Sequence, residues 1–368
     1  MLSRFRVEHY KSLFDVDVKL EPLTVFIGPN GSGKSNVCEA LAIASHTLRE
    51  IIEGTTTIEI PRLLDSVILS MNRNSTIKSF FWAGKTDFLS FGFEDIDSSD
   101  QPSGLQVRFN YDQRAITISN HLNQCLENQP YTNGIRSFLT QTQYMDSVLN
   151  TDLKNIKTYD FSPNSINEPI LSNQGMERSG KGIAESLGDL MLDDRQQFDE
   201  LEKRLCELVP NIKRIALERN RQKDFLLNLV DRYSDHRIPA SEVSDGTLRI
   251  LAFLTAIYQI ETPSILCFEE IENGVHPWLL HKMMELLKLI STEGINGKPV
   301  QVLITTHSPV LLNYVEPNQV RAVELDNEGK TQIHSLPIES KAFQKALDAY
   351  DGALGELWFT NVFGGNPE

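Results

Sequence analysis

Apolar and polar side chains alternate from Arg4 to His9 and again from Leu13 to Leu20, as in half-buried strands, and the apolar run Leu23–Ile27 predicts a buried strand after them. Beyond Lys34 the period lengthens. Val37, Ala40, Leu41, Ala44, Leu48, Ile51 and Ile52 recur at helical spacing, so a helix follows and Gly54 ends it. Residues 55–130 carry short β-type runs, Thr76–Trp82, Phe88–Phe93, Leu105–Tyr111 and Ala115–Ser119, divided by turn clusters such as Asp95–Gly104. They predict an antiparallel β layer with one helix near 60–70. A helix over 134–150 and a strand over 155–161 come next, and Ser162–Gly182, rich in Ser, Asn, Pro and Gly, reads as a surface loop.

The pattern is helical again over 183–209 as far as Pro210, and 212–219 and 225–233 read as a hairpin about the turn Asn220–Asp224. From 240 onward the apolar density rises. Leu248–Ile260 predicts a helix buried nearly all round, and Ser264–Phe268 and Val300–Thr305 predict central strands separated by the helix Trp278–Ile290. A last helix is expected over 340–350. This alternation makes an α/β fold with a mostly parallel central sheet, an antiparallel β layer and an inserted helical subdomain. No internal repeat, low-complexity tract or long linker divides the chain. Residues 1–368 are therefore expected to be one domain, with a lobe over 1–54, an insertion over 55–240 and a second lobe over 241–368.

Between the third strand and the first helix lies Gly28-Pro29-Asn30-Gly31-Ser32-Gly33-Lys34-Ser35, a complete phosphate-binding P-loop in the strand–loop–helix context that it needs. Its glycines let the backbone turn tightly and aim successive N–H groups into one concavity, and the helix N-terminus makes that concavity still more favourable for anions. A polyphosphate fits there. Lys34 would place its ammonium on the β- and γ-phosphates, and the Ser35 hydroxyl would be a ligand of the Mg²⁺ that accompanies them.

Charge and composition narrow the classes. A net charge of −15 argues against a chain that coats nucleic acid with its whole surface, but leaves room for a local basic patch. Lys213, Arg214, Arg219, Arg221 and Lys223 cluster on the predicted hairpin; a solvated face is the first reading of them and a nucleic-acid or partner contact the second. No apolar run is long enough to span a bilayer, and Met1–Arg6 lacks the apolar centre of a signal peptide, so a cytoplasmic location and no membrane partner are expected. The four cysteines, Cys38, Cys125, Cys206 and Cys267, are far apart and are read as buried thiols rather than as a disulfide framework or zinc site.

Three further segments carry chemistry. The apolar strand Ile265–Phe268 ends in Glu269-Glu270; side chains alternate along a strand, so one acid can serve Mg²⁺ and the next can face the attacking water. Glu269 is the candidate metal carboxylate and Glu270 the candidate general base. Ser241–Arg249 is a polar turn opening a buried helix, where Ser and backbone N–H groups form a second anion site. Thr305-Thr306-His307-Ser308-Pro309 closes another strand, from which the His307 imidazole can reach a γ-phosphate.

In that order these motifs resemble the ABC-type ATPases, and more closely their SMC/RecF/OLD-like branch of AAA_21-type ATPases. The similar segments are Asn30-Gly31-Ser32-Gly33-Lys34-Ser35-Asn36, Ser244–Arg249, Phe268–Pro277 and Thr305–Leu312, with Leu354-Gly355-Glu356-Leu357-Trp358 near the C-terminus. The resemblance implies a P-loop NTPase head that binds ATP and Mg²⁺ and dimerises head-to-tail, two ATPs being sandwiched between the P-loop of one subunit and the signature turn of the other. Ser244 and Gly246 would then meet the γ-phosphate across the interface. Two positions depart from the pattern: Asp245 replaces the usual transporter glycine, and Glu269 stands where many relatives have Asp. The family's Q-loop glutamine has three candidates, Gln141, Gln143 and Gln174.

Absences sharpen the expectation. No long heptad arm separates the motifs, and residues 308–368 lack the clustered acids of a metal nuclease. The resemblance then implies an ATP-hydrolysing, ATP-dimerised head acting in DNA repair or in defence against phage, with a separate effector such as a nuclease or toxin. The alternative is a slow-turnover, ATP-dependent regulatory scaffold for such a partner. A membrane-transporter subunit is disfavoured by Ser244-Asp245-Gly246 and by the β layer.

Overall fold

The computed structural model describes residues 1–53, 88–96, 102–110, 115–120, 125–130, 153, 155–166, 168, 175–221 and 224–365. The expected strand at 76–82 and helices near 60–70 and 134–150 lie outside these residues. The chain divides into two compact units, residues 1–156 with 301–368, and residues 157–300.

The first unit opens with β1 (Leu2–Tyr10), β2 (Leu13–Lys19), β3 (Leu23–Ile27) and α1 (Lys34–Glu53), and continues through β4 (Phe88–Ile96), β5 (Pro102–Asn110), β6 (Ala115–Asn120) and β7 (Cys125–Pro130). All of these strands except β3 form the antiparallel layer, in the order β2-β1-β4-β5-β6-β7. Register explains the alternation in the sequence: Val7 pairs with Val16 on one side and with Phe91 on the other. Phe5, Val7, Phe91 and Phe93 are all buried on one face, and the Phe5 ring lies 6.4 Å from Phe91 and 5.6 Å from Phe93.

The second unit holds all of β8 (Ile156–Tyr159) but its first residue, and then α2 (Pro163–Ile166), α3 (Ile183–Asp193), α4 (Arg195–Leu208), β9 (Ile212–Arg219), β10 (Phe225–Asp231), β11 (Arg237–Pro239), α5 (Asp245–Ile257), β12 (Ile265–Glu269) and α6 (Pro277–Thr292). The helical stretch 183–209 is two helices because Asp194 caps the second, its carboxylate accepting from Gln197 N at 3.0 Å. The supposed surface loop Ser162–Gly182 carries the short α2 and buries Ile166 and Met176. β12 lies beside β8, and Phe268 packs its ring 5.2 Å from Phe253 of α5, 6.0 Å from Tyr159 and 6.2 Å from Phe161. Cys38 and Cys267 are buried as expected, whereas Cys206 is partly exposed, with Sγ 3.3 Å from Lys213 O.

At Gln301 the chain returns to the first unit with β13 (Gln301–Thr306), α7 (Pro309–Leu312), β14 (Val320–Leu325), β15 (Thr331–Ser335), α8 (Lys341–Ala349) and α9 (Leu354–Phe359). Within this unit the second sheet runs β15-β14-β3-β13. β3 is parallel to both of its neighbours, and every residue of it is buried, which is why it reads as a run rather than an alternation. The strands β14 and β15 carry no pattern that predicts them from the sequence. Arg321 interrupts the apolar pattern of β14, yet it is 2% exposed, and its guanidinium donates to the carbonyls of Lys19 (2.8 Å), Asn318 (2.6 Å) and Val320 (2.9 Å). Burial draws its pKa below the ordinary value.

Candidate nucleotide-binding site

The P-loop lies entirely in the first unit, leaving β3 at Ile27 and entering α1 at Lys34. A Cβ on Gly28 would sit 2.0 Å from Val323 O, and one on Gly33 would sit 2.1 Å from Thr331 Oγ1 and 2.7 Å from Ser12 Oγ, so both positions admit only glycine. Gly31 and Gly33 have φ of 79° and 100°, which aims the loop's amides inward. Two distant segments clamp the turn. Asn36 Nδ2 donates to Ser12 Oγ at 2.8 Å, and Thr331 Oγ1 lies 2.8 Å from Ser32 O and 2.7 Å from Ser12 Oγ. Lys34 is 6% exposed and donates to the carbonyls of Gly28 (2.9 Å) and Pro29 (2.8 Å), while Ser32 Oγ is buried with no hydrogen-bond partner among the described residues. A loop closed to Cβ atoms at Gly28 and Gly33, an unmatched buried hydroxyl and a buried ammonium are the complement of a polyphosphate. Asn30 and Gly31 form the exposed tip, and Ser35 is half-buried at the start of α1.

Gly28→Ala is expected to cost about 1–3 kcal/mol or more, because the methyl meets a backbone carbonyl that belongs to a core strand. Gly31→Ala finds open space and pays only for its left-handed backbone, about 1–2 kcal/mol. Thermal melts of the two variants check this ordering.

Parallel pairing brings the His turn to the same end of the sheet. Ile27 stands opposite Thr306, so Gly28 and His307 are the first residues beyond two adjacent strand ends. Thr306 Oγ1 accepts from Ser308 N at 2.9 Å and fixes the turn, in which His307 is half-buried. Gly355 of α9 closes in behind: its N–H donates to Asn313 Oδ1 at 2.9 Å, and a Cβ there would lie 2.3 Å from Pro309 O. The Leu354–Trp358 segment thus supports the turn that follows His307.

In the second unit β12 delivers Glu269, whose side chain is only 9% exposed and is ion-paired with Arg178. The backbone then turns left-handed, with φ of 48° at Glu270, instead of continuing the strand. Expected strand alternation therefore does not set the direction of the second acid; the turn does. Asn273 holds it there, Nδ2 donating to Glu270 Oε2 at 2.6 Å and the backbone N to Glu270 O at 3.0 Å. Such left-handed non-glycine residues cost about 1–3 kcal/mol and cluster at functional sites.

Ser244 caps α5, its Oγ accepting from Thr247 N at 3.4 Å and lying 3.0 Å from Thr247 Oγ1, and Ser244 and Asp245 are exposed. A Cβ on Gly246 would lie 2.9 Å from Gly274 O, so this turn packs directly on the one that follows Glu270. The contacts made by Ser12, Thr331, Arg178 and Asn273 were not legible in the sequence. Ser12 and Thr331 are 319 positions apart, and no spacing rule links them to the loop that they clamp. Gln141, Gln143 and Gln174 lie outside the described residues. On the basic hairpin, Lys213 pairs with Asp235 at 2.5 Å and Arg219 covers the Phe225 ring at 4.4 Å; Lys223 lies outside the described residues. Among the described residues no helix is long and apolar enough to cross a membrane.

This P-loop on a mixed, mostly parallel sheet is the architecture of a P-loop NTPase, and the family match and relatives support an ABC-type ATPase of the SMC/RecF/OLD branch. The chain belongs to the AAA_21 family, described as "AAA domain, putative AbiEii toxin, Type IV TA system", whose model matches residues 23–313. It is 23% identical over 384 aligned residues to an OLD nuclease from Thermus scotoductus, an alignment covering 95% of this chain. The chain spans 66% of that relative's length. A shorter match, 44% identical over 46 residues, links 12% of it to 11% of the DNA replication and repair protein RecF from Corynebacterium jeikeium. Among solved structures, an Smc head bound to the C-winged helix domain of ScpA is similar with a TM-score of 0.59 and 15% identity, covering 92% of this chain and 98% of that one. An Smc head with an extended coiled coil, bound to the C-terminal domain of ScpA from Pyrococcus furiosus, gives 0.54 and 14%, covering 95% and 99%.

Proposed function

We propose that this protein binds and hydrolyses ATP with Mg²⁺, dimerises on ATP, and couples hydrolysis to DNA repair or anti-phage defence through a separate effector protein. The observation that carries the reading is the P-loop cradle, closed to Cβ atoms at Gly28 and Gly33 and lined by the buried Lys34 and Ser32. Asn30–Asn36 receive the polyphosphate, with Lys34 on the β- and γ-phosphates. Ser35 and Glu269 offer a hydroxyl and a carboxylate, the hard oxygen donors that Mg²⁺ takes. Bound Mg²⁺–ATP supplies the phosphoryl group and the charge that activates it. Glu270 accepts the proton of the attacking water, and His307 contacts the γ-phosphate. Ser244 and Gly246 act on the nucleotide of the other subunit.

The relatives' names support the cellular part of the reading: one is a nuclease, one a DNA replication and repair protein, and the Smc heads are bound to domains of a partner protein. A cytoplasmic location accompanies it.

The test is sedimentation and ATPase activity with ATP, for wild type and Ser244→Arg. The substitution removes a helix cap, costing about 1 kcal/mol, but should leave ATP binding by the monomer nearly intact. Dimerisation and turnover are expected to be lost together. A normal ATP-dependent dimer in the variant would refute action across the interface, and wild type without nucleotide binding would refute the whole reading.

A further inference from the structure

We propose that Arg178 is a positioning residue for Glu269: it pairs with this carboxylate and competes for it with the incoming divalent cation. The inference rests on the reading of Glu269 as a metal ligand. Glu269 ends a strand whose other four residues, Ile265 to Phe268, are all buried, and its own side chain is 9% exposed. A carboxylate so placed must keep a compensating charge, because an uncompensated buried charge is strongly destabilising. Arg178 supplies that charge through one terminal nitrogen on Glu269 Oε1.

Two features separate this contact from a purely structural ion pair. First, the other terminal nitrogen, Nη1, is buried with no hydrogen-bond partner among the described residues. The guanidinium is thus not locked by the full set of donors that makes Arg–carboxylate forks strong. Second, the backbone of Arg178 is held independently of its side chain. Asp160 N donates to Arg178 O at 2.9 Å, Ser162 N to Ser179 O at 3.0 Å and Glu177 N to Lys181 O at 2.9 Å, and Gly180 turns the loop with φ of 89°. The side chain can leave Glu269 without unfolding the loop. A divalent cation brings two charges to an oxygen that the guanidinium occupies, and the two cannot share Oε1 at bonding distance. Arg178 therefore keeps Glu269 aimed while setting the cation concentration at which the site fills.

The experiment compares wild type, Arg178→Ala, Arg178→Lys and Glu269→Gln by Mn²⁺ titration followed by electron paramagnetic resonance, with a non-hydrolysable ATP analogue bound. Thermal melts with and without Mg²⁺ and nucleotide accompany it, and analogue binding in EDTA reports that each variant is folded. The midpoint for Mn²⁺ is expected to fall about tenfold in Arg178→Ala and less in Arg178→Lys, as removal of a competing cation requires. The nucleotide-free Arg178→Ala protein should melt below wild type, and Mg²⁺ with nucleotide should narrow the gap. A merely structural arginine would lower the melting temperature without lowering the Mn²⁺ midpoint. An unchanged or raised midpoint in Arg178→Ala, with Glu269→Gln weakening Mn²⁺ binding, overturns the role of Arg178 alone. A midpoint that Glu269→Gln also leaves unmoved overturns the metal-ligand reading and this inference with it.

Discussion

Glu270→Gln is expected to slow ATP hydrolysis by about two to four powers of ten while ATP and Mg²⁺ stay bound, the range lost when a positioned general base is removed. Glutamine keeps the size of the side chain and can still accept from Asn273, which holds Glu270 Oε2 at 2.6 Å. It cannot take a proton from water. The left-handed backbone at position 270 is unchanged by the substitution, so the variant tests chemistry rather than folding. Because ATP would hold two heads together and hydrolysis would release them, blocking the chemical step alone should accumulate the dimer. Steady-state turnover and light scattering with ATP read both effects. Turnover at the wild-type rate, or a variant that stays monomeric where wild type dimerises, would overturn the mechanism.

Lys34→Ala should lower ATP affinity at least about a hundredfold, since a charged hydrogen-bond donor contributes about 1.5–3 kcal/mol for each bond that it makes. The same change has a cost without nucleotide. Lys34 donates to the carbonyls of Gly28 and Pro29, and its loss leaves these acceptors without that donor, about 1–3 kcal/mol of the loop's stability. Calorimetric titration with ATP and melts of the nucleotide-free protein separate the two terms. Unchanged affinity would remove the P-loop from the proposed function. A lower melting temperature with unchanged affinity would make Lys34 a structural clasp.

The elements most legible in the sequence were those whose side chains repeat with one period and whose neighbours are close in the chain. β1 and β2 alternate because one face of the layer is buried, and α5 is apolar nearly all round because it is buried nearly all round. β14 escaped because its interior polar residue is compensated by carbonyls of Lys19, Asn318 and Val320, and the first of these lies 302 positions away. The break between α3 and α4 was missed for a local reason: Asp194 is a cap, but it sits inside a pattern that otherwise stays helical.

The same division runs through the site. Backbone demand is written locally, since glycine is favoured where φ is positive or another backbone comes within reach, and so the P-loop, the cap at Ser244 and the paired acids after Phe268 could be named from residue type and spacing. Which groups press on them depended on the tertiary fold. Thr331 and Ser12 close on Gly33, Val323 O excludes a side chain at Gly28, Arg178 reaches Glu269 across 91 positions, and a left-handed turn held by Asn273 re-aims Glu270. Hydrogen bonds and ion pairs of this kind act between atoms brought together by chain topology, so their partners carry no periodicity or fixed spacing. Sequence alone determined the chemistry that the loop, the acids and the histidine can offer; only the packed chain decided which of those groups are held, and by what.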